Sequence, residues 1–324
     1  MKSVLGIGNA LVDILLRVED EQLLQKFKLP KGSMQLVTAD LANEVVQAAL
    51  GMTSSQASGG SASNTMHGLA KLGVPSGYLG KTGNDPLGDF FKKDLQSHKI
   101  KTHLLTGSQE TGRAITLITP DTERTFATHL GSAIELGSDD LIDDIFEQYG
   151  LIHLEGYLVQ NTELMNSIAQ KAKKAGAMIS LDLASFNIVE EKLDFLQEFI
   201  QANVNIVFAN EEEAKAYGKG NIEDGFYELG KQTDIAIVKT GKNGSVIHSR
   251  GELYEVASLP AEVIDTTGAG DLYASGFLYG YLNGYSLKKC GDIGSLLAAM
   301  VIELVGAKID ENRWTEIKTM LKHL

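Results

Sequence analysis

The sequence predicts an α/β protein: a doubly wound parallel sheet sandwiched between helices in three layers, with a small β-sheet projecting from it as a lid. Continuous apolar runs bounded by polar or glycine segments read as strands buried on both faces. Helical patterns separate them, as a parallel sheet requires. A further set of β-rich segments between residues 11 and 129 breaks that alternation. The chain of 324 residues is long enough for a sizeable core.

In chain order, Val4–Ile7 opens the main sheet. Leu11–Val18 is β-rich and carries a charged residue, Asp13, among apolar ones. Ser33–Val37 is a short strand after Pro30-Lys31-Gly32. Thr111–Thr119 and Arg124–His129 are joined by Pro120-Asp121-Thr122-Glu123, a turn sequence that closes a hairpin. These four segments are expected to form a small antiparallel sheet. A sheet of that kind needs one face covered, by substrate or by a partner subunit. Leu151–Leu154, Met178–Leu183, Ile206–Phe208 and Ile235–Val238 continue the main sheet. Thr162–Ala175 and Asn210–Tyr217 read as helices between them, and Asp271–Val305 reads as helical. The expected division is a large domain of residues 1–10, 38–110 and 130–324, with residues 11–37 and 111–129 as a discontinuous lid.

Composition narrows the function. With 29 basic and 42 acidic residues the net charge is −13, which disfavours broad nucleic-acid binding. The single cysteine, Cys290, excludes an internal disulfide and a cysteine-based metal cluster. It fits a reducing cytoplasm, the expected location. No apolar run reaches the ~18 residues of a spanning helix, and Val4–Gly8 is too short for a signal sequence, so no membrane partner is expected.

Common phosphate fingerprints fail. Gly6-Ile7-Gly8 begins a dinucleotide motif, but Leu11 stands where its third glycine belongs. Gly80-Lys81-Thr82 resembles the end of a P-loop, but Pro75 occupies its first glycine position. The informative segment is Asp265-Thr266-Thr267-Gly268-Ala269-Gly270-Asp271. Its glycines permit a tight turn into a helix, with the N–H groups of Gly268, Ala269 and Gly270 facing outward as an anion cradle. Asp271, in the first turn of that helix, either caps it or takes a proton from an attacking hydroxyl. A second small-residue segment, Ser58-Gly59-Gly60-Ser61-Ala62-Ser63-Asn64, lets a ligand approach the backbone, and Asn64 offers both donor and acceptor. Asp13 is costly in an apolar strand unless paired or functional, and it suits a sugar diol.

Gly59-Gly60 followed by Asn64, and the Asp265–Asp271 segment, resemble the two signatures of the ribokinase-like (PfkB) family of sugar and nucleoside kinases. Asn210-Glu211-Glu212-Glu213 fits that family's N-x-x-E motif, and Val238–Gly244 resembles its nucleotide loop. The resemblance runs nearly the whole chain and implies a large α/β sandwich with a β-lid. It implies ATP and Mg²⁺ as cofactors. Asp271 would be the base, and Gly268, Ala269 and Gly270 the anion hole. Asp13, Gly59, Gly60 and Asn64 would hold the acceptor. Asn210, Lys239, Gly241 and Gly244 would lie near ATP, with Glu213 organising Mg²⁺ through water. A K⁺ ion near Asp265 and Thr267 is a further implication.

Within the family the N-terminal part, Gly8–Ile14, is most similar to the adenosine kinases, as are Phe208–Ala214 and His153–Tyr157. Tyr157 is thus expected to stack on a base, with Phe186 a second candidate and Leu16 and Leu36 approaching from the lid. Arg124, in the lid hairpin, also suits a sugar or sugar phosphate. The expected activity is phosphorylation of a primary hydroxyl of a nucleoside, adenosine first. A free-sugar kinase for ribose, fructose or 2-keto-3-deoxygluconate stands second, and a catalytically silent binding protein third. The expected partner is a small molecule, and the expected assembly is a monomer or a lid-mediated homodimer.

Overall fold

A computed structural model of the chain describes residues 3–121 and 123–322, so Thr122 of the predicted hairpin turn lies outside the described residues. The strands, in chain order, are β1 (Val4–Ile7), β2 (Leu11–Arg17), β3 (Met34–Leu36), β4 (Ser54–Gly59), β5 (Ser76–Thr82), β6 (Lys101–Thr106) and β7 (Gly112–Ile118). They continue with β8 (Arg124–His129), β9 (Leu151–Glu155), β10 (Met178–Asp182), β11 (Ile206–Asn210), β12 (Ile235–Lys239), β13 (Ser245–Ser249) and β14 (Glu252–Val256).

Nine strands form the main sheet in the order β14-β13-β12-β11-β10-β9-β1-β5-β6. It is parallel from β12 to β6, and β13 and β14 close one edge antiparallel. Strand pleating sends alternate residues to opposite faces. Val4, Leu151, Ile206, Phe208 and Ile237 thus pack with Met66, Phe277 and Leu278 from the helices Ser61–Lys71 and Ala269–Leu282. Leu5, Ile152, Leu154, Val207 and Val238 pack on the other face with Leu164, Ile168 and Phe199. Phe208 and Phe277 meet edge to face at 5.6 Å, a contact worth about 0.5–1.5 kcal/mol beyond its buried area. The result is the expected three-layer α/β/α sandwich. The order of strands reverses about β1, which sits between β9 and β5. Ligands of open parallel sheets bind at that point, beyond the carboxyl ends of the strands.

The second sheet has the order β3-β8-β7-β2-β4. It is mixed, not antiparallel as expected: β2 pairs parallel with β7, and β3 with β8. The reason is topological. β2 follows β1 and β7 follows β6, and those parallel strands launch their successors in one direction. The fifth strand, β4, pairs antiparallel with β2 and falls within residues 38–110, which the sequence assigned to the large domain. Its sequence, Ser-Ser-Gln-Ala-Ser-Gly, has no apolar alternation to announce it. Val12, Ile14, Leu16, Ile115, Leu117 and Ala127 line the covered face of this sheet. The opposite face carries Asp13, Leu15, Thr116, Phe126, Met34 and Leu36. Leu16 is therefore a core residue at 3 % exposure and does not reach the base pocket, whereas Leu36 does stand on the Asp13 face, 65 % exposed. The period of two decides this: one step along β2 exchanges the faces.

Candidate active site

The Asp265–Asp271 turn is held from three sides. The Asp265 carboxylate accepts the amides of Thr267 and Gly306 and is ion-paired to the Arg124 guanidinium from β8. Arg124 also donates to Thr267 Oγ1 at 3.2 Å. Gly268 is the N-cap of the Ala269–Leu282 helix with φ 78°, and a Cβ there would stand 2.6 Å from that of Ala307. Only glycine fits a left-handed cap so closely covered. Of the expected cradle, the amides of Gly268 and Gly270 donate to no backbone carbonyl among the described residues. The amide of Ala269, expected to face outward, instead donates to Thr266 O at 3.2 Å and closes the turn.

Asp271 follows, and both of its carboxylate oxygens are engaged. Ser61 Oγ donates to Oδ1 at 2.6 Å and Asn64 Nδ2 to Oδ2 at 2.9 Å. Burial raises its pKa, the nearby charge of Asp182 adds to the rise, and the bonds from Ser61 and Asn64 oppose it. A carboxylate so placed is a stronger base than an exposed one. Ser61 was read in the sequence only as a small residue. Its contact with Asp271 spans 210 positions, and no local pattern encodes it.

Gly59 and Gly60 join β4 to the Ser61–Lys71 helix. A Cβ on Gly59 would lie 2.1 Å from Asp13 Oδ1, so the missing side chain makes room for that carboxylate. Gly60 has φ 86°, and a Cβ there would meet Asn9 O at 2.3 Å. Burial raises the pKa of Asp13, Lys308 opposes, and Asp271 adds to the rise. Behind the turn, Glu155 at the end of β9 accepts from Asn9 Nδ2 at 3.0 Å and from the amide of Ala62 at 3.3 Å. Burial pushes its pKa up to about 7. The sequence analysis gave Glu155 no role of its own.

On the other side of the cradle, Asn210 and Glu213 form a reciprocal cap on the Glu211–Tyr217 helix. Both Glu213 oxygens accept from Asn210, each at 2.8 Å, and burial raises the Glu213 pKa. This carboxylate fits Mg²⁺ only through a bound water, the manner in which Mg²⁺ keeps much of its hydration. Among the described residues no group of three or more His, Cys, Asp or Glu side chains is arranged to hold a metal ion. Lys239 Nζ bonds Asp182 Oδ2 at 3.0 Å and lies 3.0 Å from where a Cβ on Gly270 would stand. Burial would lower the Lys239 pKa, but the charges of Asp182 and Glu213 hold it above the usual value. Asp182 is a second residue to which sequence reasoning gave no role.

These groups border a cavity of about 690 Å³ lined by Asn210, Lys239, Gly241, Gly244, Ala269 and Gly270. Tyr157, in the turn after β9, is half-buried, and burial raises its phenol pKa. Phe186 starts a short helix and is 44 % exposed. The arrangement therefore has a cavity bordered by Gly270 and Lys239, with the buried carboxylate of Asp271 in the electrostatic field of both Lys239 and Asp13. No helix among the described residues is long and apolar enough to cross a membrane.

Comparisons with known proteins agree with this geometry. The structure resembles that of a probable sugar kinase from Rhizobium etli CFN 42 (TM-score 0.89, 34 % identity, covering 100 % of this chain and 99 % of that one). It resembles adenosine kinase from Sinorhizobium meliloti equally well (TM-score 0.88, 34 % identity, 98 % and 99 %). A nucleoside kinase from Methanocaldococcus jannaschii is 28 % identical over 325 residues, 99 % of this chain and 97 % of its own length. The profile of the pfkB family carbohydrate kinases matches residues 33–314. A turn that presents amides to an anion beside a buried carboxylate thus has its explanation: the chain belongs to the pfkB family and is an ATP-dependent kinase that phosphorylates a hydroxyl of a small sugar or nucleoside.

Proposed function

We propose that the chain is a nucleoside kinase with adenosine as its preferred acceptor. The observation that carries this reading is the apolar surround of the acceptor cleft. Leu15, Phe126, Met34 and Leu36 stand on the Asp13 face of the lid, and Tyr157 lies on the main body. A free sugar has no use for so much apolar surface, whereas a base does.

In this reading the triphosphate occupies the cavity bordered by Asn210, Gly241 and Gly244. Mg²⁺ arriving with ATP would neutralise phosphate charge, and Glu213 would hold it through water. Asp13, Gly59, Gly60 and Asn64 hold the ribose. Asp271 takes the proton from the primary hydroxyl as the acceptor oxygen bonds the γ-phosphorus, and the bond to the bridging oxygen breaks to release ADP. The amides of Gly268 and Gly270 and the ammonium of Lys239, positioned by Asp182, stabilise the transferred group. Ala269 joins them if its amide leaves Thr266. At the K⁺ position Arg124 already supplies a cation to Asp265, so K⁺ would have only Thr267 and backbone oxygens.

An ATP-consumption screen across nucleosides and free sugars tests the assignment, with adenosine expected to lead. Tyr157→Ala should weaken adenosine about tenfold or more and leave ribose unchanged, on the scale of base–aromatic stacking. If ribose or fructose is the better acceptor from the start, the reading becomes the free-sugar kinase suggested by Arg124. Flat rates throughout would mean a silent binding protein.

A further inference from the structure

One buried charge near the site has no place in the transfer chemistry. Lys308 follows Gly306-Ala307 in the segment between the helices Leu287–Ile302 and Glu311–Met320. That segment threads between the lid and the anion turn. Ala307 packs under Gly268, and a Cβ on Gly306 would stand 3.7 Å from Leu15 of β2, two residues from Asp13 on the same face. The Nζ of Lys308 is sealed from solvent and makes no hydrogen bond among the described residues. Three carboxylates face it electrostatically: Asp13 of β2, Asp94 of the Pro86–Ser97 helix and Asp271 of the Ala269–Leu282 helix. From the Ser61–Lys71 helix it is faced by His67, which burial keeps neutral and which in turn has His98 and Lys71 beside it.

A buried ammonium without a hydrogen-bond partner is costly, and nothing in packing requires it. We propose that Lys308 is a positioning residue for acceptor binding: its sealed, unpartnered ammonium, carried on the segment that packs against the Asp13 face of β2, favours the ionised Asp13 that accepts hydrogen bonds from the acceptor's hydroxyls. Ionised, Asp13 has acceptor capacity for two hydroxyl donors; protonated, it offers a donor where the diol needs an acceptor. Burial and the charge of Asp271 both press Asp13 toward protonation near neutral pH, and Lys308 is the cation that opposes them. Asp94, whose carboxylate is bonded to the amide of Ser58, shares the same field from behind β4.

The inference rests on Asp13 holding the acceptor, so that reading is tested separately. With adenosine as probe, Asp13→Asn should raise the acceptor KM and leave the KM for ATP unchanged; unchanged acceptor affinity would remove the reading itself. Lys308→Met is then compared with the wild type across pH. The acid limb of kcat/KM for adenosine should move up by about one unit, with the ATP limb unaffected. Lys308→Arg should restore the wild-type profile. Calorimetric titration of adenosine into each protein without ATP reads the same shift in binding alone. Should Lys308→Met fail to fold, Lys308→Gln carries the same comparison. An acid limb that stays in place in the charge-removing variants overturns the inference. So does an equal loss in adenosine and ATP parameters that the arginine variant does not repair.

Discussion

At the scale of the residue, Asp271 is the clearest test. Asp271→Asn should lower kcat by about 10²-fold or more with modest changes in either KM, because it removes the proton acceptor and keeps the size. The fold should tolerate it: Asn64 Oδ1 is buried without a partner, so a flip of that amide can meet the new donor. Steady-state kinetics with both substrates varied checks this, and an unchanged kcat removes Asp271 from the chemistry. Glu155 gives a stability test. Its carboxyl titrates near 7 in the fold against an ordinary 4.5, so between those values the folded chain holds more protons than the unfolded one. Its contribution to stability therefore falls as pH rises through that window. Glu155→Gln removes the effect, so the variant's melting temperature should gain on the wild type between about pH 5 and pH 8 in calorimetry. Asp271 was legible in the sequence because its turn is written in consecutive residues. Ser61 and Asp182 make contacts that only the fold creates, and the burial of Lys308 is likewise a product of the fold.

At the scale of the element, the tie between lid and anion turn runs through Arg124 and Asp265, whose side chains are 11 % and 2 % exposed. Arg124→Met would leave Asp265 buried without its counter-charge, at a cost of about 3–5 kcal/mol in urea unfolding. The double variant Arg124→Met/Asp265→Asn should be less destabilised than the single one, since no charge is then stranded. A double variant at least as unstable as the single would mean that the pair is valued for its shape. The lid strands were legible where a β-rich segment carries apolar residues, as along Leu11–Arg17, and the main-sheet strands where apolar runs are continuous. β4 was not legible, because its place is set by backbone bonds to β2 with no apolar side chain to mark it. The parallel pairing of β2 with β7 depends on where β1 and β6 end, which no local pattern states.

At the scale of the whole molecule, the lid sheet and the main sheet enclose the cleft from opposite sides, and acceptor binding should draw them together. Hydrogen exchange with adenosine and a non-hydrolysable ATP analogue should slow in β3 and β8 and stay unchanged in the interiors of β9–β11, which are buried. Protection spread evenly over both sheets would instead indicate general stabilisation by ligand. The junction between the sheets is short. β4 ends at Gly59 and the helix whose Ser61 and Asn64 donate to Asp271 begins at Ser61, so Gly60 alone separates them. In mechanical terms the lid is a lever without slack. Its long arm is a five-stranded sheet and its short arm carries Ser61 and Asn64, the two donors on the Asp271 carboxylate. Rotation of the long arm passes through one pair of backbone torsions and arrives at the carboxylate of Asp271 as a change in the angle of its hydrogen bonds. The carboxylate of Asp271 is thereby coupled to any rotation of the lid sheet, with no loop between β4 and the Ser61–Lys71 helix to absorb it.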